Sequence, residues 1–250
     1  MYNYQPVVHQ TYPSIIGLEY ENASNTSLTI FAGAATAPQE LLSSTDLILS
    51  NDTTLDCTTV GLNGLDAGVL AVSSSYSVFL IGDPTGFKPV GVIASLTKYP
   101  LDLPQYPQGY GISRRIAYFV TDGSGYIANF LQGGSQFVKR IQLDVATNAV
   151  SGGTSATFVP IIFNPLVPKV PYLSVLLSTQ NSGNYTTALR PTGNTISTTS
   201  NAPYRLAGTT AVPLVEFVSG IDVNGNCSID YAVNGGNTII QVCGWVDYLY

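Results

Sequence analysis

Turn-forming residues divide the chain into many short apolar segments, and this spacing constrains the fold more than any other feature. Gly, Pro, Asn and Asp recur about every 8–12 residues, an interval typical of all-β sandwiches and barrels. Helix-favouring Glu, Lys and Met are scarce, whereas Thr, Val, Ile and Tyr are plentiful. Residues 38–49 fit a helical turn or a strand equally well. We therefore predict an all-β fold of the β-sandwich or jelly-roll type, in two lobes.

Two hairpins are indicated by their turn sequences. The strongest strand, 75–82, is predicted to pair with 90–96 across D-P-T-G-F-K, and 116–121 with 126–130 across D-G-S-G. Prolines keep the loop 99–109 extended. The remaining predicted strands are 15–20, 27–32, 53–62, 138–145, 172–178, 186–190, 211–219, 227–233 and 237–247.

Composition also suggests the boundaries of the lobes. Residues 146–157 are rich in Gly, Ser, Thr and Ala, which predicts a linker between a first lobe at 14–145 and a second at 158–250. Residues 1–13 are predicted to form an extended N-terminal arm lying over a neighbouring subunit. A frayed terminus is the alternative.

The charge balance limits the classes of partner. Charged residues make up 10% of the chain and the net charge is −6, against about 25% charged residues in an ordinary soluble domain. Hydroxyls, amides and tyrosines must cover the surface, and they are cheaper to desolvate than charges, so the surface suits packing against neighbours. The acidic balance argues against nucleic acid. We expect no membrane insertion and no signal peptide, because no long apolar run is present.

Cysteine and histidine are too sparse for a metal centre or a disulfide framework. The chain has Cys57, Cys227 and Cys243, with His9 as its single histidine. Buried free thiols are the default interpretation, and a Cys227–Cys243 pair on neighbouring strands stays open.

One run of oxygen-bearing side chains resembles a calcium loop. It consists of Asp222, Asn224, Asn226, Ser228 and Asp230. An EF-hand needs Gly at its sixth position and Glu at its twelfth, and this run has neither, since Cys and Val stand there. A hairpin turn at Asn224-Gly225 is therefore the preferred interpretation.

Catalytic signatures are lacking. There is no G-x-S-x-G motif, and the single histidine lies in the predicted arm. Asp52, Asp56, Asp66 and Asp122 occupy turn-like positions, where paired carboxylates of a glycosidase are conceivable. Turn aspartates that bond their own backbone are the favoured interpretation. We predict no catalytic, cofactor-binding or metal-binding residue and no cofactor.

The stretch 110–130 contains the only adjacent arginine pair, Arg114 and Arg115. We predict that one of these guanidinium groups donates a charge-assisted hydrogen bond to a carboxylate or a backbone carbonyl. Such a bond contributes about 1.5–3 kcal/mol when buried. The stretch would then be a scaffold that sets strand register. The chain's 16 tyrosines are compatible with binding sugars or proteins.

Several short motifs occur in a fixed order from about residue 60 onwards. They are Gly64-Leu65-Asp66 with Gly68; Tyr76, Val78, Leu80, Ile81 and Gly82; Gly109-Tyr110 with Arg114-Arg115-Ile116; 121–125 with Ile127 and Phe130; and Gly244-Trp245 with Asp247. This order resembles a family of uncharacterised phage and prophage virion proteins encoded among tail-fibre and other structural genes. Ala117 stands where that family has Gly, and the first 60 residues lie outside the shared pattern.

The resemblance implies a non-enzymatic virion surface protein, either a tail-fibre or receptor-binding component or a capsid decoration or head-fibre protein. A homotrimer is expected. Expected partners are copies of itself, other virion proteins and, in a fibre, a host surface glycan or receptor. Residues 1–60 are candidates for virion attachment, and the expected location is the virion, assembled in the host bacterial cytoplasm. The alternatives are a tailspike-type polysaccharide-degrading enzyme and a carbohydrate-binding module.

Overall fold

The computed structural model describes residues 15–38, 44–97, 104–135, 138–163, 166–168, 173–196, 199–207, 212–218, 220–221 and 227–249. The predicted N-terminal arm lies outside these ranges. Within them the chain is built of strands, with one 3₁₀ turn at Thr199–Asn201. The all-β prediction is confirmed, and several sheets around a shared core are compatible with a sandwich-like arrangement.

Twelve strands precede residue 154. They are β1 (Ile15–Gly17), β2 (Tyr20–Ser24), β3 (Ser27–Ile30), β4 (Gly33–Pro38), β5 (Ser44–Leu49), β6 (Thr53–Asp56), β7 (Gly64–Leu65), β8 (Ser75–Gly82), β9 (Gly91–Ser95), β10 (Ile112–Val120), β11 (Phe130–Ser135) and β12 (Val138–Gly153). The strand interpretation thus holds for the described end of 38–49.

Eight further described strands follow. They are β13 (Val159–Ile162), β14 (Leu173–Asn181), β15 (Thr186–Pro191), β16 (Tyr204–Ala207), β17 (Val212–Val218), β18 (Gly220–Ile221), β19 (Cys227–Val233) and β20 (Thr238–Tyr248). Within the described ranges, no helix has the length and apolar character needed to cross a bilayer.

The strands form five sheets. Their orders are β1-β4-β5, β2-β3-β6, β10-β8-β9-β7, β11-β12-β20-β14-β17 and β13-β19-β15-β16, with β18 also beside β19. The described pairings between named strands are antiparallel except β7 with β9. Strand β20, which comes late in the sequence, is the central strand of a five-stranded sheet. Its contact with β12 is the most extensive between any two described strands.

The first predicted hairpin is confirmed. Strands β8 and β9 pair antiparallel, with Phe79 opposite Ile93. The Asp83 carboxylate organises the connecting turn by accepting hydrogen bonds from the Thr85 hydroxyl and from the backbone N–H groups of Thr85, Phe87 and Lys88. These bonds lower the pKa of Asp83, chiefly through Thr85.

The second predicted hairpin forms only next to its turn, where the Ala128 N–H donates to the Val120 carbonyl at 3.0 Å, and 126–129 form no strand. Strand β10 pairs along its length with β8, and beyond D-G-S-G one isolated bridge joins Thr121 to Ile127. The chain then turns away and begins β11 at Phe130, which pairs with β12. A turn signal specifies the local reversal of the chain and does not fix how far the strands beyond it stay paired.

The predicted linker needs correction at 146–153, which form the second half of β12. These residues pair with β20, as in Thr147 opposite Val242 and Val150 opposite Ile240. Pairing with a buried strand overrides the weak strand propensity of a Gly- and Ser-rich segment. The division into two lobes stays a prediction. One continuous core includes Tyr76, Ile116, Val175 and Trp245, which come from both predicted lobes.

An irregularity in β20 explains one glycine of the C-terminal motif. Against β14 the register steps from Leu176–Gly244 to Leu177–Val242, so Cys243 is an extra residue. Gly244 has φ +148°, and a Cβ there would collide with the carbonyl oxygen of Ile141 on β12. Only glycine lets the two backbones approach this closely.

Candidate functional site

The arginine pair lies in the interior. Arg115 Nη1 donates to Asp247 Oδ2 at 2.5 Å, and the two side chains are 6% and 4% exposed. Both are parts of strands, β10 and β20, whose backbones hold the charges in place. The predicted charge-assisted bond is confirmed.

Both guanidinium groups make further contacts. Arg115 Nη2 donates to the Tyr248 carbonyl at 3.5 Å, and the Arg115 guanidinium carbon lies 4.1 Å from the centre of the Tyr118 ring. Arg114 Nη2 donates to the Leu249 carbonyl, also at 3.5 Å. The pair therefore connects the middle of the chain to its C-terminal strand and presents no basic contact surface.

A lysine and a tyrosine extend this buried polar group. Lys139 lies opposite Asp247 in the sheet, and its Nζ is 3.7 Å from Glu19 Oε1 while its side chain is 1% exposed. Burial lowers the pKa of Lys139, and the charge of Glu19 opposes that shift. Burial and the Asp247 charge raise the pKa of Tyr20 well above its usual value. Its hydroxyl donates to the Tyr118 carbonyl.

A second ion pair accounts for the last residue of the calcium-like run. Arg190 Nη2 and Asp230 Oδ2 are 2.8 Å apart, and the Thr192 hydroxyl donates to Asp230 Oδ1 at 3.0 Å. These partners use both carboxylate oxygens of Asp230 inside the β15–β19 sheet. Ser228 is buried, whereas Asp222, Asn224 and Asn226 lie outside the described residues. Among the residues that are described, no group of three or more His, Cys, Asp or Glu could hold a metal ion.

Two of the four turn aspartates bond their own turn, as expected. Asp56 Oδ1 accepts from the Thr58 N–H and hydroxyl, and Asp122 Oδ1 accepts from the N–H groups of Ser124 and Tyr126. The other two bond more distant residues. Asp52 accepts from the Ala32 N–H, and Asp66 accepts from the Ser95 hydroxyl and the Gln105 N–H.

The described cysteine side chains are buried thiols. Cys57 and Cys243 are free. Burial raises the pKa of Cys57 to about 12 and also raises the pKa of Cys243. The side chain of Cys227 lies outside the described part of the molecule. Because Cys243 is a free thiol, the structure does not support a Cys227–Cys243 disulfide.

A cleft of about 560 Å³ lies beside the D-G-S-G turn, and we call it the turn cleft. Its lining consists of 120–123, 126–129 and 143–145 with Asn25, Ser73, Thr147 and Leu166. Buried Val120, Ile127 and Leu143 provide apolar surface. Asp122, Asn129 and Asp144 are exposed polar residues, and Tyr126 is 47% exposed.

A bulge in β12 forms one side of the turn cleft. Between the pairs Gln142–Gly244 and Thr147–Val242, β12 advances five residues while β20 advances two. The surplus residues include Asp144 and Val145, and bulges of this kind redirect side chains beside functional sites. The Asp144 N–H donates to the Asn129 carbonyl at 3.0 Å, which ties the bulge to the segment after the turn.

Sequence reasoning found one member of the turn cleft, Asp122, and missed Tyr126, Asn129 and Asp144. Alternation along 141–145 predicts that Val145 is buried with Ile141 and Leu143, yet Val145 is 74% exposed. Val145 is exposed because the bulge breaks the alternation of buried and exposed side chains along β12. The sequence pattern alone does not reveal the bulge.

Comparisons of the chain with protein-family models, with curated proteins and with solved structures found no match.

Proposed function

We propose that the chain is a non-enzymatic surface structural protein of a bacteriophage virion and forms a homotrimer. It serves either as a tail-fibre or receptor-binding component or as a capsid decoration or head-fibre protein. Its partners are then copies of itself, other virion proteins and, in a fibre, a host surface glycan or receptor. The motif resemblance supplies the biological setting, and the surface chemistry supplies the physical support.

The observation that carries the proposal is the depletion of charge at the surface. The chain has 9 basic and 15 acidic side chains. Within the described ranges, five of the charged residues are buried, namely Arg114, Arg115, Lys139, Asp230 and Asp247. The surface is therefore poorer in charge than the composition implies. Such a surface suits protein contacts because little charge has to be desolvated on assembly.

Exposed apolar side chains support the same proposal. Phe87 is 92% exposed and Val69 is 82% exposed. Ile16 and Ile48 are also exposed, and both lie beside Ala34 in the β1-β4-β5 sheet. Single apolar residues are common on protein surfaces, whereas a row across three strands is a feature of contact surfaces.

The motif residues themselves have structural roles. Arg115 pairs with Asp247, Trp245 is buried, and Gly244 permits a close backbone approach. These roles agree with a family pattern that specifies a fold and carries no catalytic residue.

Immunogold labelling of purified phage particles tests the location. Antibodies against the chain should label particles from the encoding host at a regular position. A label on the head supports the decoration or head-fibre role, and a label on the tail supports the fibre role. Purified particles that lack the chain, while the lysate contains it, would contradict the proposal.

Light scattering during gel filtration tests the oligomeric state. The chain has a mass of 26.5 kDa, so a homotrimer should elute at about three times that mass. A monomer that persists at high protein concentration is the contrary result.

One observation favours the enzymatic alternative. Asp122 and Asp144 line the same cleft, as the acids of a polysaccharide-degrading enzyme would. The two bonds to Asp122 Oδ1 instead match a structural turn aspartate. To distinguish the enzymatic from the structural role, the protein is incubated with host polysaccharide and new reducing ends are measured. Release that Asp144→Asn abolishes would establish the enzyme and overturn the non-enzymatic proposal.

A further inference from the structure

We propose that the turn cleft binds a neutral saccharide, with Tyr126 as the aromatic contact and Asp122, Asn129 and Asp144 as hydrogen-bonding partners. This inference deepens the receptor-binding form of the proposed function and depends on that function for its biological role. The binding itself is a property of the isolated chain.

The volume and apolar surface of the cleft suit a sugar. About 560 Å³ lies within the range of small-ligand sites. A pyranose ring presents C–H groups on its faces and hydroxyls around its edge. Buried Val120 and Leu143 offer apolar contact, and Tyr126, at 47% exposed, offers a large rigid surface that loses little conformational freedom on binding.

Hydrogen bonds position the Asp122 carboxylate and the backbones that carry Asn129 and Asp144 before any ligand arrives. Asp122 Oδ1 accepts from the N–H groups of Ser124 and Tyr126, at 2.8 Å and 2.9 Å. The Asp144 N–H bond to the Asn129 carbonyl, at 3.0 Å, joins the other two polar residues. Groups held in this way lower the entropic cost of recognition. Carboxylates and amides accept hydrogen bonds from sugar hydroxyls, and the Asn129 amide also donates.

Charge selects neutral ligands. Among the described residues that line the turn cleft there is no lysine, arginine or histidine, and two are aspartates. The whole chain carries a net charge of −6. Sialic acid, uronic acids and phosphorylated sugars would face repulsion with no cation to pair with, whereas neutral hexoses and hexosamine derivatives with an uncharged amide would not.

A panel of immobilised saccharides tests the proposal with the full chain. The panel contains neutral, uronic-acid and sialylated oligosaccharides, and calorimetry then measures affinity for the best neutral member. We expect retention of neutral members and at least tenfold weaker binding by Tyr126→Ala and by Asp144→Ala. Tyr204→Ala is the matched control, because Tyr204 is a 37% exposed tyrosine on β16, in another sheet. It should bind as the unmodified chain does.

Three results would overturn saccharide binding at the turn cleft. Retention of no neutral saccharide, preference for acidic saccharides, or unchanged binding by Tyr126→Ala in a variant of native circular dichroism each overturn the inference. If the variants change the oligomeric mass and no sugar binds, the cleft is a subunit contact, which also overturns it. Particle labelling is independent of these results. A labelled virion with no saccharide binding rejects the cleft alone, and binding without labelling rejects the virion role alone.

Discussion

The Arg115 guanidinium meets the Asp247 carboxylate at 2.5 Å across 132 positions of sequence. Because both side chains are almost fully buried, each charge depends on the other for its solvation. Removing one partner of a buried pair leaves an uncompensated charge. The pair therefore makes the attachment of β10 to β20 sensitive to single substitutions.

We expect Arg115→Ala and Asp247→Asn each to lower the free energy of unfolding by about 3–5 kcal/mol. Urea denaturation followed by tryptophan fluorescence measures the change. Arg140→Ala is the control, because the Arg140–Glu216 pair spans 4.0 Å with side chains 45% and 38% exposed. An exposed pair contributes about 0–1 kcal/mol. Equal effects of Arg115→Ala and Arg140→Ala would show that the buried pair is not important for stability.

We expect Gly244→Ala to destabilise the protein by about 3 kcal/mol or to prevent folding. The added Cβ would collide with the Ile141 carbonyl oxygen, at a φ of +148° that side chains disfavour. Gly133→Ala in β11 is the control, since a Cβ there meets nothing within 4 Å. Thermal unfolding separates the two, because about 1 kcal/mol shifts the midpoint by about 2–4 °C in a chain of this size. Similar midpoints for both variants would contradict the close approach of β12 and β20.

Lys139 should make the free energy of unfolding vary with pH in the alkaline range. Burial lowers its pKa in the folded state, whereas the unfolded chain keeps a value of about 10.4. Between these two values the unfolded chain binds more protons than the folded protein, so stability rises with pH in that window. We expect Lys139→Met to lose this rise, and urea denaturation from pH 7 to 10 on both proteins measures the difference. Tyrosine titration is common to both and cancels.

Substitution of Glu19, the partner of Lys139, should enlarge the pH effect. Glu19 raises the pKa of Lys139 against the effect of burial, so Glu19→Gln should lower that pKa further and widen the window. If the difference in unfolding free energy between the unmodified protein and Lys139→Met does not change with pH, the lowered pKa of Lys139 is refuted.

The thiols should be unreactive in the folded protein. Cys57 has a pKa of about 12, and Cys243 is 8% exposed, so neither presents an accessible thiolate at pH 8. In a Cys227→Ser variant we expect no reaction with a thiol reagent before unfolding and two reacting thiols in denaturant. Labelling of the folded variant at the rate of the unfolded chain would contradict the burial of these cysteines.

The sequence was informative where an apolar run ends at turn residues. The bounds predicted for β8 and β19 agree with the structure, since 75–82 and 227–233 are such runs. The sequence also predicts the scaffold role of the arginine pair, because two adjacent charges in an apolar stretch need partners. Its partner, Asp247, was not predicted, because contacts between distant strands leave no local pattern.

Pairing and irregularity were the parts that sequence did not reveal. The D-G-S-G turn predicts a hairpin, yet pairing across it stops at the Thr121–Ile127 bridge, and β10 pairs along its length with β8. The turn cleft depends on the bulge at 143–146, which arises where β12 must match the irregular β20. Strand pairing and bulges are both properties of the assembled sheets.

The central place of β20 has a consequence for synthesis in the cell. While a ribosome makes this chain, β11 with β12 and β14 with β17 emerge before the strand that joins them. Until 238–248 have emerged, β12 and β14 each present a long unpaired edge, and such edges invite association with other chains. Nascent copies are therefore most exposed to aggregation until 238–248 have emerged, and chaperone demand should fall once β20 pairs with both neighbours.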